Sequence, residues 1–213
     1  LSREVRLTAQ RRLVDIGRNR RQEAQTSASA IDQSLLTSAP TRELVALLRE
    51  ESAPALTRAH AIWALDGIDE GRAARREILT AANDADPVLR LHAARHLGAR
   101  RAVEAVDALR GRLTDDSASV RFEAATALGR IAEPSAVPAL LAVLDEQDLF
   151  VRFAAFTALN GIGRRHSDAW QAIATGLAHP DERVREGTRF ALRETYDPQL
   201  VRVLTELAKT GSS

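Results

Sequence analysis

One short pattern recurs six times along this chain, and a repeat of that length leaves few folds open. Its clearest copy is VRFEAATALGRI at 120–131. The next, VRFAAFTALNGI, begins at Val151, and LRLHAARHLGAR begins at Leu89, each 31 residues from its neighbour. Looser copies begin at Val5, Thr57 and Val184. Aligned on their arginine, the copies carry Arg6, Arg58, Arg90, Arg121, Arg152 and Arg185. Successive steps are 52, 32, 31, 31 and 33 residues, so only the first interval holds an insertion. Self-similarity at this period marks a solenoid, in which units too small to bury an apolar face alone stack on one another. The expected fold is all-α, a right-handed α-solenoid of about six helical pairs.

Each unit reads as two helices. Val120, Ala124, Leu128 and Ile131 fall on one helical face, and Ala124, Ala125 and Ala127 are small enough to let a neighbouring helix approach closely. The partner helix precedes the motif, at 102–113 for this unit and at 134–144 for the next. Pro134 sits where a first-turn proline is tolerated, whereas Pro138 demands either a late start or a kink. Four residues before the arginines stand Ser2, Asp86, Ser117, Asp148 and Asp181, with Pro54 as the exception. A serine or aspartate there accepts hydrogen bonds from free backbone N–H groups at the helix start, worth about 1 kcal/mol per cap. The arginine follows at a fixed register. On stacked units Arg6, Arg58, Arg90, Arg121, Arg152 and Arg185 are expected to form a structural ladder, each reaching an acidic cap or a carbonyl of its neighbour.

The period breaks at 18–40, a stretch rich in Gln, Ser and Ala. It reads as an irregular loop between the first and second units, with a helical turn near 31–36. The rest forms one repeat domain over 1–213. The chain opens on a second helix and closes on a first helix at 198–207, and it has no Met, as expected of a fragment of a longer protein. Neither end carries a polar capping unit, so both end faces are expected to be apolar and open to end-to-end self-association.

Composition narrows the function classes. Thirty basic residues against 29 acidic ones argue against a dedicated polyanion binder such as a nucleic-acid protein. The absence of Cys removes disulfides, thiolate metal sites, covalent c-type haem and cysteine nucleophiles from this stretch. No apolar run approaches the ~18 residues of a membrane span.

The pattern Asp-x-x-Val-Arg-x-x-Ala-x-x-Ala-Leu-Gly, best met at 117–129 (with Ser117 at the cap) and 148–159, resembles HEAT repeats. The resemblance is to the short bacterial kind also seen in phycobilin-lyase-like proteins. RAHAIWALDGI at 58–68 and REGTRFALRETYDPQLV at 185–201 further resemble the HEAT region of large planctomycete and verrucomicrobial proteins described as membrane-bound dehydrogenase-like or haem-binding. That second resemblance implies a propeller domain before the repeats, a cytochrome c domain after them and an exported location. It assigns no cofactor to the residues of this chain.

In HEAT-type solenoids the second helices line the concave surface. By helical phase the column Arg11, Trp63, Arg95, Thr126, Thr157 and Phe190 points outward. A second column, three residues earlier, holds Thr8, His60, His92, Glu123, Ala154 and Gly187 and is expected to do the same. The candidate partner-binding residues are therefore Arg11, His60, Trp63, His92 and Arg95, a grouping with the composition of an interface hot spot. His92 and His96 have a metal-compatible i, i+4 spacing. Glu123 is the one further ligand on that face, so no metal site is expected. Iron-binding HEAT hydroxylases use His-Glu dipeptides, but the five histidines here are followed by Ala, Ala, Leu, Ser and Pro. The expected function is a non-catalytic scaffold that binds a protein partner, or another domain of its parent chain, through the concave face. The alternative is a HEAT-like enzyme, acting on nucleic acid in the manner of a DNA glycosylase through Trp63 and Asp66, or on a tetrapyrrole in the manner of a lyase. Against the first of these, Asp66 occupies the helix-end position of Gly129 and the strong positive field that holds DNA is missing.

Overall fold

The computed structural model describes residues 39–193, 195 and 197–210, and among these every regular element is helical. The chain divides into two compact units, 1–81 and 82–213. In the first, α1 (Ala39–Arg49) packs on α2 (Ala55–Asp69), and α3 (Arg75–Ala81) follows. Leu48, Ala59, Ile62, Leu65 and Ile78 are buried. Pro54 starts α2 without a side-chain cap, since proline offers no side-chain acceptor. Glu70 (φ 65°) and Gly71 (φ 70°) turn left-handed to end it. Ala39 and Pro40, expected to close the irregular stretch at 18–40, already belong to α1. The remainder of that stretch, with the first motif copy and its Arg6 and Arg11, lies outside the described residues.

The second unit holds α4 (Pro87–Ala99), α5 (Val106–Arg112), α6 (Ala118–Ile131), α7 (Val137–Ala142), α8 (Leu149–Arg165), α9 (Ala169–Ala174), α10 (Glu182–Leu192) and α11 (Pro198–Thr210). Here α4, α6, α8 and α10 carry the motif and stack in that order. The partner helices α5 and α7 pack against α6 and α8, and α7, α9 and α11 follow one another alongside. This is the layering of an all-α solenoid. Its core is built from the motif's own apolar face: Leu89, Ala93 and Leu97 of α4, Val120, Ala124 and Leu128 of α6, and Val151, Ala155 and Leu159 of α8 are all fully buried. Each such leucine is worth roughly 1.5–3 kcal/mol of burial. The partner helices are shorter than their sequence suggests. The segments 103–105 and 134–136 are 3-10 turns, and α7 begins only at Val137, so Pro138 sits in a first turn and causes a late start rather than a kink.

Two local features fix how the units join. The caps come first: Asp86 accepts from the Val88 N–H, Asp148 from Phe150 and Val151, and Asp181 from Arg183 and Val184. Ser117 departs from the expected pattern, because its hydroxyl makes no cap bond. Instead its own N–H donates to the carboxylates of Asp115 and Asp116, 3.0 Å each, so this loop is tightened by acids that precede the helix. The second feature is the glycine that closes the motif. A Cβ on Gly98 would lie 2.5 Å from Cα and Cβ of Ala127, and one on Gly129 would lie 2.8 Å from those of Ala158. The α4–α6 and α6–α8 spacings therefore depend on a missing side chain. In the next copy Asn160 replaces the glycine and donates to the carbonyl of Ala191 (2.7 Å) and to Thr195 Oγ1 (2.9 Å).

Candidate protein-binding face

The ladder arginines leave the start of each motif helix and run along the loops. Arg90 lies in the most buried setting. Its Nε and Nη2 form a bidentate pair with Asp115, both at 2.7 Å, Nη2 also reaches Asp116, and Nη1 donates to the carbonyls of Asp84 and Ala85. One guanidinium thus links its own inter-helix loop to that of the next repeat. Arg121 repeats the geometry, with Nε donating to Glu146 at 2.8 Å and Nη1 to the carbonyls of Asp115 and Asp116. Arg58, in the first unit, donates from Nε to the Leu48 carbonyl at 2.9 Å. Arg185 donates to the carbonyls of His179 and Pro180 and pairs with Glu182. Burial alone would raise the pKa of Asp115. The hydrogen bonds from Arg90 and from the Ser117 N–H outweigh it and hold the carboxyl at about 2. Glu146 is likewise lowered, with burial opposed by the Asp148 N–H and by Arg121. Arg152, a half-buried residue, is the exception in the ladder: its guanidinium has no hydrogen bond or ion pair among the described residues. The loop position two residues before the cap, which supplies Asp115 and Glu146 to Arg90 and Arg121, holds His179 for Arg152, and its Nδ1 accepts from the Asp181 N–H.

Of the two columns expected to face outward, one does. Trp63 is 39% and Phe190 47% exposed, Arg95 and Thr157 are exposed, and Thr126 is half-buried. In the first unit the Trp63 ring meets His60, centroids 5.0 Å apart. The other column turns inward. His60 and His92 are half-buried, whereas Glu123 and Ala154 are buried and a Cβ on Gly187 would meet the Leu144 side chain at 3.2 Å. The reason is rotation, since three residues on an α-helix turn the side chain by about 60° from the outward column, toward the neighbouring helix. The buried Glu123 carboxylate accepts from Arg95, at 2.9 Å from Nε and closer from Nη2, so Arg95 ties α4 to α6 along its outer edge. His60 and Trp63 belong to the first unit, and His92 and Arg95 to the second.

The most exposed apolar surface of the second unit was not among the candidate residues. Four of the chain's five phenylalanines gather on α8 and α10. Phe153 and Phe156 pack edge to face, 5.1 Å between centroids, and Phe156 meets Phe190 at 4.3 Å. Arg193 lies over the Phe190 ring at 5.9 Å. Phe153 is 55% and Phe150 76% exposed, and Leu149 beside them is 66% exposed. The signal was present in the sequence: Phe150, Phe153 and Phe156 recur every third residue, on one face of a helix whose core positions are already filled by Val151, Ala155 and Leu159.

A family model for HEAT repeats matches this chain over 40–121 and again over 75–160. Among solved structures, a chain of the complex of CpcE and CpcF of phycocyanin lyase from Nostoc sp. PCC7120 is 27% identical, with a TM-score of 0.54 over 76% of this chain. The present chain spans 65% of that chain's length. Human deoxyhypusine hydroxylase in complex with glycerol is 22% identical, with a TM-score of 0.50 over 81% of this chain and 68% of the hydroxylase, a likeness of fold alone. Curated proteins give no match.

Proposed function

The chain belongs to the HEAT-repeat family, and on that premise we propose that it is a non-catalytic scaffold. It binds a protein partner, or another domain of its parent chain, through the face of its second helices. The observation that carries this reading is the aromatic surface of the second unit, exposed at Phe150, Phe153 and Phe190 and joined by the half-buried Phe156, with Trp63 holding the register of Phe190 in the first. Aromatic side chains left this open on a folded solenoid lose apolar hydration when a partner covers them, and residues of this type dominate interface energetics. The parent architecture follows the same reading: a longer protein of the planctomycete and verrucomicrobial type, supported by the resemblance at 58–68 and 185–201. The enzymatic alternative draws on the likeness to the phycocyanin lyase complex.

The test is site-specific photo-crosslinking in the producing cell. A benzophenone side chain at Thr157, amid the aromatic surface, is compared with one at Asp107, exposed on the partner helix α5. A single protein partner, or a domain of the same polypeptide, joined from Thr157 and not from Asp107 supports the scaffold. Equal labelling from both positions, or a covalent adduct to a small chromophore or nucleic acid at Thr157, overturns it.

A further inference from the structure

Arg152 and the phenylalanine cluster occupy one surface. On α8, Leu149 and Phe156 stand three residues before and four after Arg152, the spacings that bring helix side chains together. Leu149 and Phe153 are more than half exposed, and Phe156 joins the cluster to Phe190 on α10. Every other ladder arginine described, Arg58, Arg90, Arg121 and Arg185, donates to a carbonyl or a carboxylate of this chain. Within the ladder Arg152 alone has no hydrogen bond or ion pair among the described residues, and His179 stands where its acid would be. Resting on the scaffold reading, we infer that this surface is a docking site for an acidic, apolar segment of a protein partner. Its leucine- or phenylalanine-type side chains cover the rings, and one carboxylate pairs with Arg152.

The charge pattern selects that occupant. Over its length α8 carries Arg152, Arg164 and Arg165 and no acidic residue. On α10, Arg185 and Arg189 both pair with Glu182 and Arg183 donates to the Asp145 carbonyl, while Arg193 just beyond the helix lies over the Phe190 ring. The site therefore presents Arg152 at the edge of an apolar surface, with the Arg193 cation held over the Phe190 ring, which suits a carboxylate flanked by apolar side chains rather than a run of phosphates. A single-stranded nucleic acid requires a run of free cations along its phosphates and open ring faces on which bases stack. Here the rings of Phe153, Phe156 and Phe190 already pack on one another at 5.1 and 4.3 Å. An arginine half withdrawn from water is also well suited to a carboxylate, since a charge-assisted bond is stronger than a neutral one.

The experiment selects peptides of about 15 residues from a phage-displayed library against the 213-residue chain and measures the affinity of the enriched sequences by fluorescence anisotropy. The expected consensus places Asp or Glu within one helical turn of paired Leu or Phe. Binding should fall at least tenfold in Phe190→Ala and in Arg152→Glu, be largely kept in Arg152→Lys, and weaken as salt is raised. All three variants alter exposed or unpaired groups, and an unchanged circular dichroism melt checks that each is folded. Phe150→Ala, at the most exposed ring, supplies a second aromatic readout. Peptides that depend on Phe190 and Phe150 but bind Arg152→Glu unchanged would overturn this inference and leave the scaffold reading standing. Peptides indifferent to all these variants would overturn both. Tight binding of a thymidine 20-mer that Phe190→Ala abolishes would assign the surface to nucleic acid. A concentration-dependent dimer broken by Phe190→Ala would assign it to a second copy of the chain.

Discussion

Replacing glycine with alanine inside a helix ordinarily stabilises, because alanine is the better helix former by up to about 1 kcal/mol. In this protein the sign should depend on which glycine is changed. A Cβ at Gly98 or Gly129 would fall 2.5 and 2.8 Å from the backbone of the next motif helix, closer than side-chain carbons come to such atoms, and backbone cannot swing aside as a side-chain end can. Forcing a methyl into such a contact costs about 1–3 kcal/mol of overpacking, so the net effect of Gly98→Ala or Gly129→Ala is a loss of roughly 1–2 kcal/mol. For a chain of this length that lowers Tm by about 2–8 °C, at about 2–4 °C for each kcal/mol. Gly67, inside α2, and Gly111, in α5, have nothing within 4 Å of the added carbon. Gly67→Ala and Gly111→Ala should therefore raise Tm by a few degrees at most, as helix propensity alone dictates. Thermal melts followed by circular dichroism at 222 nm compare the four variants directly. If Gly129→Ala raises Tm as Gly67→Ala does, the close α6–α8 approach is not what the motif's glycine is for.

Arg90→Ala leaves Asp115, whose side chain is 2% exposed, without its bidentate partner and should cost about 3–5 kcal/mol in a denaturant titration. Arg121→Ala removes a pair whose side chains are 17% and 19% exposed and should cost only about 1 kcal/mol. Equal losses would contradict the difference in burial. Because the folded-state pKa of Asp115 is about 2, below its ordinary value near 3.8, its contribution is fully present above about pH 4 and is lost as pH falls from there toward 2. Melts between pH 5 and 2 should show that decline, and Asp115→Asn, already lacking the charge, should show a shallower one. Trp63→Ala should weaken partner binding by at least about 2 kcal/mol at little cost in Tm, whereas Arg121→Ala should do the reverse. Isothermal titration alongside melting separates the two outcomes.

The fold could be read from the sequence because a repeat states its packing several times over. Val120, Ala124 and Leu128 are buried together with their counterparts one period before and after, and the 31-residue step is the distance from one stacked helix to the next. Where copies diverge, legibility falls. Ser117 occupies a capping position yet its hydroxyl takes no helix N–H, whereas Asp86 and Asp148 cap although an acid two residues before each accepts its own N–H in the same way. The column of His92 and Glu123 was read as outward from phase alone. A difference of about 60° between neighbouring columns cannot be seen until the stacked helix that covers Glu123, Ala154 and Gly187 is in place. The phenylalanine cluster was missed for a related reason. Phe150, Phe153 and Phe156 pass for core residues by type, and only the occupation of the core by Val151, Ala155 and Leu159 pushes them to the surface. Likewise the unpaired state of Arg152 depends on the loop before the next motif, where His179 stands at the position that supplies Asp115 and Glu146 to the other arginines.

Binding of a partner through the exposed rings of the second-helix face is tested by the affinity of the crosslinked partner for the Phe153→Ala/Phe190→Ala double variant. Both side chains are about half exposed, so the double variant should keep the helical spectrum and Tm of the parent while its Kd for that partner rises at least a hundredfold, about 2.7 kcal/mol or more. An unchanged Kd with an unchanged Tm would contradict the account, placing the binding surface elsewhere on the chain.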